Sequence, residues 1–170
     1  MSKIINKKSI VLVISIFILI ILFTLMLIRY YRIPDTNTII ELRNITREEY
    51  ESNLELRKYD FNNIKKLYVE VNITNSKYCI KREIMIPDLN AIDSYDKVRS
   101  IISEDSKINN LNKDDKAQSI KYIIFDAAGL TIDNIKSIFS KKIIIINIIT
   151  PNKKDVQYNY DLGAQLKVSQ

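Results

Sequence analysis

Residues 10–28 read IVLVISIFILIILFTLMLI, nineteen positions with no charge and only Ser15 and Thr24 as weakly polar interruptions. As a helix rising 1.5 Å per residue this run spans about 28 Å, close to the hydrocarbon thickness of a bilayer. A buried helix of a soluble protein would be shorter or would show a polar stripe. A cleavable leader would have a shorter apolar core followed by small residues, whereas Leu27-Ile28-Arg29-Tyr30-Tyr31-Arg32 follows this one. The expectation is a membrane helix that stays attached, with Ile10, Phe17, Phe23 and Ile28 facing lipid and Arg29, Tyr30, Tyr31 and Arg32 at the headgroup layer.

Charge around the run suggests its direction. Lys3, Lys7 and Lys8 precede it and Arg29 and Arg32 follow it. The positive-inside rule then places the N-terminus in the cytoplasm and the C-terminal region outside. The run holds no acid, base, histidine or G-x-x-x-G, so neither a proton relay nor a glycine-packed dimer can be built from it. Four segments follow: a short cytoplasmic tail (1–8), a single-pass transmembrane helix acting as signal anchor (9–29), a juxtamembrane linker (30–37, including Pro34-Asp35-Thr36-Asn37) and an extracytoplasmic globular domain (38–170).

The formal charge of the 170-residue chain is +6, and residues 1–34 supply five of those charges. The remaining 21 basic and 20 acidic residues nearly cancel, which leaves no basic footprint for nucleic acid. Isoleucine occurs 34 times. With Lys and Asn it draws on A- and T-rich codons, a composition expected of an AT-rich bacterial genome. The single cysteine, Cys79, excludes an intrachain disulfide and sits in a strand-like stretch, where a buried small hydrophobe is expected.

After the anchor, residues 67–73 (LYVEVNI) alternate, with Leu67, Val69, Val71 and Ile73 on one face. A second strand at 78–86 is expected to pair with it as a hairpin across Thr74-Asn75-Ser76-Lys77. The nearly continuous apolar runs 120–125 and 143–149 suit strands covered on both faces. Residues 156–160 alternate after a turn at 150–154 and should form a hairpin with 143–149, with the Gln157 and Asn159 side wet.

Three short helices are expected. One is capped by Ser94, with Tyr95, Val98, Ile101 and Ile102 on one face; one is capped by Thr131, with Ile132, Ile135, Ile138 and Phe139; one begins at the capping-box pattern Thr46-Arg47-Glu48-Glu49. Residues 103–118 read as a polar surface loop. The fold class is α+β: an N-terminal transmembrane helix followed by a small, mostly antiparallel β-sheet domain with two or three short helices, the alternative being an immunoglobulin-like β-sandwich.

Catalytic motifs are scarce. Absence of histidine removes the commonest general base and zinc ligand. Asp126, before Ala127-Ala128-Gly129, reads as a carboxylate at a strand-ending turn rather than a catalytic acid. Asp105, Asn109, Asn110, Asn112, Asp114 and Asp115 do not match an EF-hand loop. Asn44-Ile45-Thr46 and Asn72-Ile73-Thr74 satisfy the glycosylation sequon, a match expected by chance in an Asn- and Ile-rich chain.

No catalytic, cofactor or metal site is assigned. The function expected is a non-catalytic, membrane-anchored binding or assembly module acting on a protein partner in the cell envelope. The alternatives are a membrane-tethered envelope hydrolase or transferase using carboxylates, and a ligand-sensing accessory subunit acting through a partner membrane protein. The expected docking element is the last clean strand, whose polar face carries Asp155, Gln157, Asn159 and Asp161 and which would add a partner strand if it lies at a sheet edge. Residues 162–170 would cover that edge in the alternative arrangement.

Overall fold

The structure is a computed structural model that describes residues 7–108 and 115–169, with side chains described for 10–107 and 115–169. Helix α1 (Lys7–Tyr31) runs through the apolar stretch. Its segment Ile10–Tyr31 is long and apolar enough to cross a membrane, and no side chain in it is buried. Ser15 and Thr24 return their hydroxyls to the carbonyls four residues earlier, Val11 and Ile20, which hides the polarity of both side chains inside the helix.

Eight strands follow: β1 (Asp35–Asn44), β2 (Ile64–Thr74), β3 (Lys81–Met85), β4 (Ser100–Ile108), β5 (Ala117–Asp126), β6 (Ile143–Ile149), β7 (Asp155–Asp161) and β8 (Lys167–Ser169). They divide between a five-stranded sheet of order β4-β5-β2-β1-β8 and a three-stranded sheet of order β3-β6-β7. The period-two burial of β2 puts Leu67, Val69, Val71 and Ile73 against Ile84, Ile144, Ile146 and Ile148 of the smaller sheet. The domain is therefore a mixed-sheet structure with two facing sheets, one hydrophobic core and a few helices. All strand pairs are antiparallel except β1 with β8, which is parallel and departs from the immunoglobulin arrangement.

Helix α2 (Arg47–Ser52) starts at Thr46 with the expected capping box, Thr46 and Glu49 each receiving the other's backbone N–H. Helix α3 (Ile132–Ile138) starts at Thr131 in the same way with Asn134 as the reciprocal partner. A one-turn helix α4 (Leu162–Gln165), capped by Asp161, leads into β8. A second, smaller core of Ile45, Leu56, Ile64 and Ile124 lies on the opposite face of the large sheet, beneath α2 and the 3-10 turns Leu56–Lys58 and Phe61–Asn63. It explains why residues 120–125 are apolar on both faces: Ile123 and Phe125 enter the main core and Ile124 the second.

Several expectations are corrected. Strand β2 does not form a hairpin with β3. It pairs with β1 and β5, while β3 crosses to the other sheet and pairs with β6. The intervening loop is pinned by Ser76, whose N–H donates to the Asp115 carbonyl at 3.1 Å and whose hydroxyl accepts from Arg82 at 2.7 Å.

No helix follows Ser94, whose hydroxyl donates to the Ala91 carbonyl at the end of the 3-10 segment Leu89–Ser94. Tyr95 and Val98 are exposed, and Ile101 and Ile102 belong to β4, a strand that also takes up residues 103–108 of the expected loop. Arg99 overrides the helical pattern. Its buried guanidinium makes a bidentate pair with Asp96 and donates to the carbonyls of Asp126 and Ala128, while Asp93 accepts from the Arg99 and Ser100 amides. Asn109, Asn110, Asn112 and Asp114 lie outside the described residues.

Strand β1 begins at Asp35, so Asp35, Thr36 and Asn37 lie in the sheet and only Arg32, Ile33 and the buried Pro34 separate it from α1. This strand was not among the sequence expectations, because Thr36, Thr38 and Glu41 dilute its alternation.

Candidate binding edge and membrane helix

Strand β7 is one of the two edge strands of the smaller sheet. A tight turn joins its inner neighbour β6 to it, the Thr150 amide donating to the Lys154 carbonyl at 3.0 Å; at the other end the Leu162 amide donates to the Lys142 carbonyl at 2.9 Å. Those two bonds fix the parity of the ladder. Hydrogen-bonded pairs alternate with non-bonded ones in an antiparallel ladder, so Val156, Tyr158 and Tyr160 bond to β6. Asp155, Gln157, Asn159 and Asp161 therefore aim their backbone N–H and C=O groups away from the sheet. The four residues singled out from their side chains are the four that carry the outward backbone.

Side chains divide the same way. Tyr158 and Tyr160 pack on the main core, while Gln157 and Asn159 are exposed and bonded to each other at 2.9 Å. Asp161 has a structural task, accepting from the Lys141 and Ala164 amides, both at 2.9 Å, and these bonds hold its carboxyl below the usual range. Residues 162–169 do not cover β7, and Gln170 lies outside the described residues. Helix α4 carries the chain past the corner and β8 joins the other sheet beside Glu41, Leu42 and Arg43 of β1.

Because β8 reaches only those three residues, the earlier half of β1 is also without a neighbour on that side among the described residues. A cleft of about 470 Å³ lies there, lined by Asn37–Glu41 on one wall and Ala164–Lys167 on the other. The buried Thr38 hydroxyl has no hydrogen-bond partner. Since α4 links β7 to β8, the open flanks of the two sheets share one side of the domain.

Other sheet margins are less open to pairing. Strand β3 is five residues long and carries the ion pair Lys81–Glu83 at 2.9 Å. Strand β4 has a register shift between Ser100 and Ile102 and presents Glu104, Asp105 and Lys107. Charge and irregularity of this kind discourage strand addition. Strand β7 keeps an unbroken register and has no lysine.

The outer face of the large sheet is a closed polar lattice. Glu70 accepts from Tyr68, Asn72 and Gln118, each at 2.7 Å, which holds its carboxyl below the usual pKa range, the Asn72 bond contributing most. Tyr68 is pushed up to about 12 by burial and by Glu70, and Tyr122 to about 12 by burial and by Glu104. Arg43 sits 4.3 Å from the Tyr68 ring centre; Lys66 sits 4.3 Å from that of Tyr122 and pairs with Glu49 at 2.8 Å. The charged groups of this lattice satisfy one another.

Asp126 accepts from the Ala128 amide at 2.9 Å, as a turn-closing carboxylate does. Among the described residues no three His, Cys, Asp or Glu side chains converge as a metal site. Cys79 is buried, which pushes its thiol's pKa up. No family model and no curated protein matches this chain.

Of the residues expected to anchor the chain, Ile10, Phe17, Phe23 and Ile28 lie on the exposed surface of α1, Arg29, Tyr30 and Tyr31 close its last turn, and Arg32 follows. Tyr30 and Tyr31 meet edge to face at 5.3 Å. Arg32 pairs with Asp35 at 3.1 Å, and Asp35 also accepts from Asn75 at 2.5 Å. The Asn75 bond chiefly, then Arg32, holds the Asp35 carboxyl below its usual range. This clasp ties the exit of the helix to the β2–β3 loop, an arrangement that sequence spacing does not reveal.

Proposed function

We propose that the chain is a membrane-anchored, extracytoplasmic assembly module, non-catalytic, which holds a protein partner of the envelope by strand addition close to the bilayer. The junction after α1 carries this reading. Twenty-two exposed positions, charged only at Arg29, end three residues before a strand of the folded domain, and Pro34 is buried at the join. Three extended residues reach about 10 Å, so a membrane-embedded α1 holds the domain against the lipid surface. A soluble protein would have to leave this entire apolar helix in water, at a cost of about 25 cal/mol per Å².

Strand addition is supported by the outward backbone of Asp155, Gln157, Asn159 and Asp161 and by the open flank of β1 on the same side. The test is extraction of cell membranes with alkaline carbonate. Full-length protein should remain in the pellet, and a chain lacking residues 1–31 should be released. A mature product that has lost α1 would instead make the helix a leader and overturn the proposal.

A further inference from the structure

We infer that the end of the domain nearest α1 is a lipid-binding face, specific for anionic phospholipid headgroups; the inference rests on the anchor reading above. Strand β1 starts, β2 ends, β6 ends and β7 starts at this end, so the loops 75–80 and 150–154 surround the exit of α1. These loops present Tyr78 and Ile80, 54% and 48% exposed, together with Pro151. Between Tyr78 and Ile80 lies the buried Cys79, so the loop is fixed to the core while its two apolar neighbours point outward.

Both loops are held by hydrogen bonds. The first has Ser76 bound to Asp115 and Arg82. The second has Lys153 in the left-handed region at φ 62°, its amide on the Thr150 carbonyl at 2.9 Å, and the Thr150 hydroxyl bound to Lys154. Side chains presented by such loops form a surface of defined shape.

Depth and charge identify the ligand. Tyr78 and Pro151 face the last turns of α1 across an open apolar groove of about 820 Å³, whose other wall includes Leu22, Met26, Arg29 and Tyr30. From Leu22 to Tyr30 a helix rises about 12 Å. The loops thus overlap the outer part of the span, at the interfacial depth where Tyr30 and Tyr31 belong.

Lys77, Lys116, Lys153 and Lys154 are exposed at the same end, and among the described residues none of them is in an ion pair. Lys81 is paired with Glu83 and Asp35 with Arg32, which leaves, among the described residues, Asp115 and Asp155 as the local acids and a positive balance. Basic side chains around exposed aromatic and aliphatic ones are the pattern that binds anionic bilayers, through headgroup charge and shallow insertion together.

The sequence contains no tryptophan, so single replacements report depth without background. The full chain is reconstituted into vesicles of brominated phosphatidylcholine, with and without phosphatidylglycerol, carrying Tyr78→Trp, Phe17→Trp or, at the opposite end, Tyr95→Trp. With phosphatidylglycerol present, Trp emission from position 78 should shift to the blue and be quenched. It should revert towards the aqueous value in phosphatidylcholine alone, at high salt, or when Lys77, Lys153 and Lys154 are all replaced by Glu. Position 95 should stay aqueous throughout, and the charge variant should keep the near-ultraviolet circular dichroism of the parent, which reports that it is folded.

Quenching at 17 with none at 78, or equal quenching at 78 in both lipids, would overturn the lipid-face inference and leave the anchor standing. Absence of quenching at 17 would overturn both.

Discussion

Single residues carry much of the domain's specification, and two give direct tests. Gly163 allows α4 to approach α3: a methyl group there would stand 2.2 Å from the Lys136 carbonyl oxygen and 2.7 Å from the Ser140 amide. Backbone cannot yield as a side chain does, so Gly163→Ala should destabilise the domain by about 1–3 kcal/mol in denaturant unfolding. Tyr68 and Tyr122 supply a pH test. Each titrates near 12 when folded and about 10 when unfolded, so the native state is favoured fully below pH 10 and loses that advantage as pH rises through 12. Replacing both with Phe should flatten the dependence of the unfolding midpoint on pH in that interval. An unchanged slope would mean that neither hydroxyl is held as the structure has it. Glu70 acts in the opposite direction: its lowered folded value means a contribution present above about pH 4.3 and lost as pH falls below it.

At the scale of elements, the outward parity of β7 makes a specific prediction. Proline at 159 removes an amide that points away from β6, so Asn159→Pro should leave the β6–β7 ladder and the fold intact while obstructing strand addition. With a photo-crosslinker at Gln157, the adduct formed in intact membranes should be lost in the Asn159→Pro background. A partner captured equally well by a variant that unfolds normally would exclude this edge.

How much of these elements was legible from sequence depended on the physical signal each carried. The alternation of residues 67–73, the Thr46 and Thr131 caps and the β6–β7 hairpin all express local chemistry, and the structure contains them. Which strand pairs with β2 is not a local property, so the expected β2–β3 hairpin gave way to a crossing between sheets. The helix expected after Ser94 shows a similar failure: apolar spacing at 95, 98, 101 and 102 imitated a helical stripe, while the Arg99 clamp onto Asp96, Asp126 and Ala128 depends on a turn far along the chain. The edge position of β7 could only be guessed; its outward parity needed the two flanking backbone bonds.

For the whole molecule, an apolar helix and a self-sufficient core sit on either side of a three-residue join. The core residues of the two sheets come entirely from 40–166, and α1 contributes none of them. A chain beginning at Arg32 should therefore be soluble and unfold in one cooperative step. Beginning instead at Thr36 removes the buried Pro34 and the Asp35 clasp with Arg32 and Asn75, and should lower the unfolding midpoint measurably. Aggregation of the longer fragment would mean that the domain is completed by another chain, as the open flank of β1 beside α4 would then allow.

A retained α1 with the domain outside the cell can be tested directly. Cys79 is the only native thiol, and Ser106 is an exposed position of β4. Intact cells expressing the full chain with Cys79→Ala and Ser106→Cys are treated with a membrane-impermeant maleimide, and the protein is then recovered from carbonate-washed membranes. Full-length protein labelled before lysis is the predicted result; labelling only after lysis would contradict it.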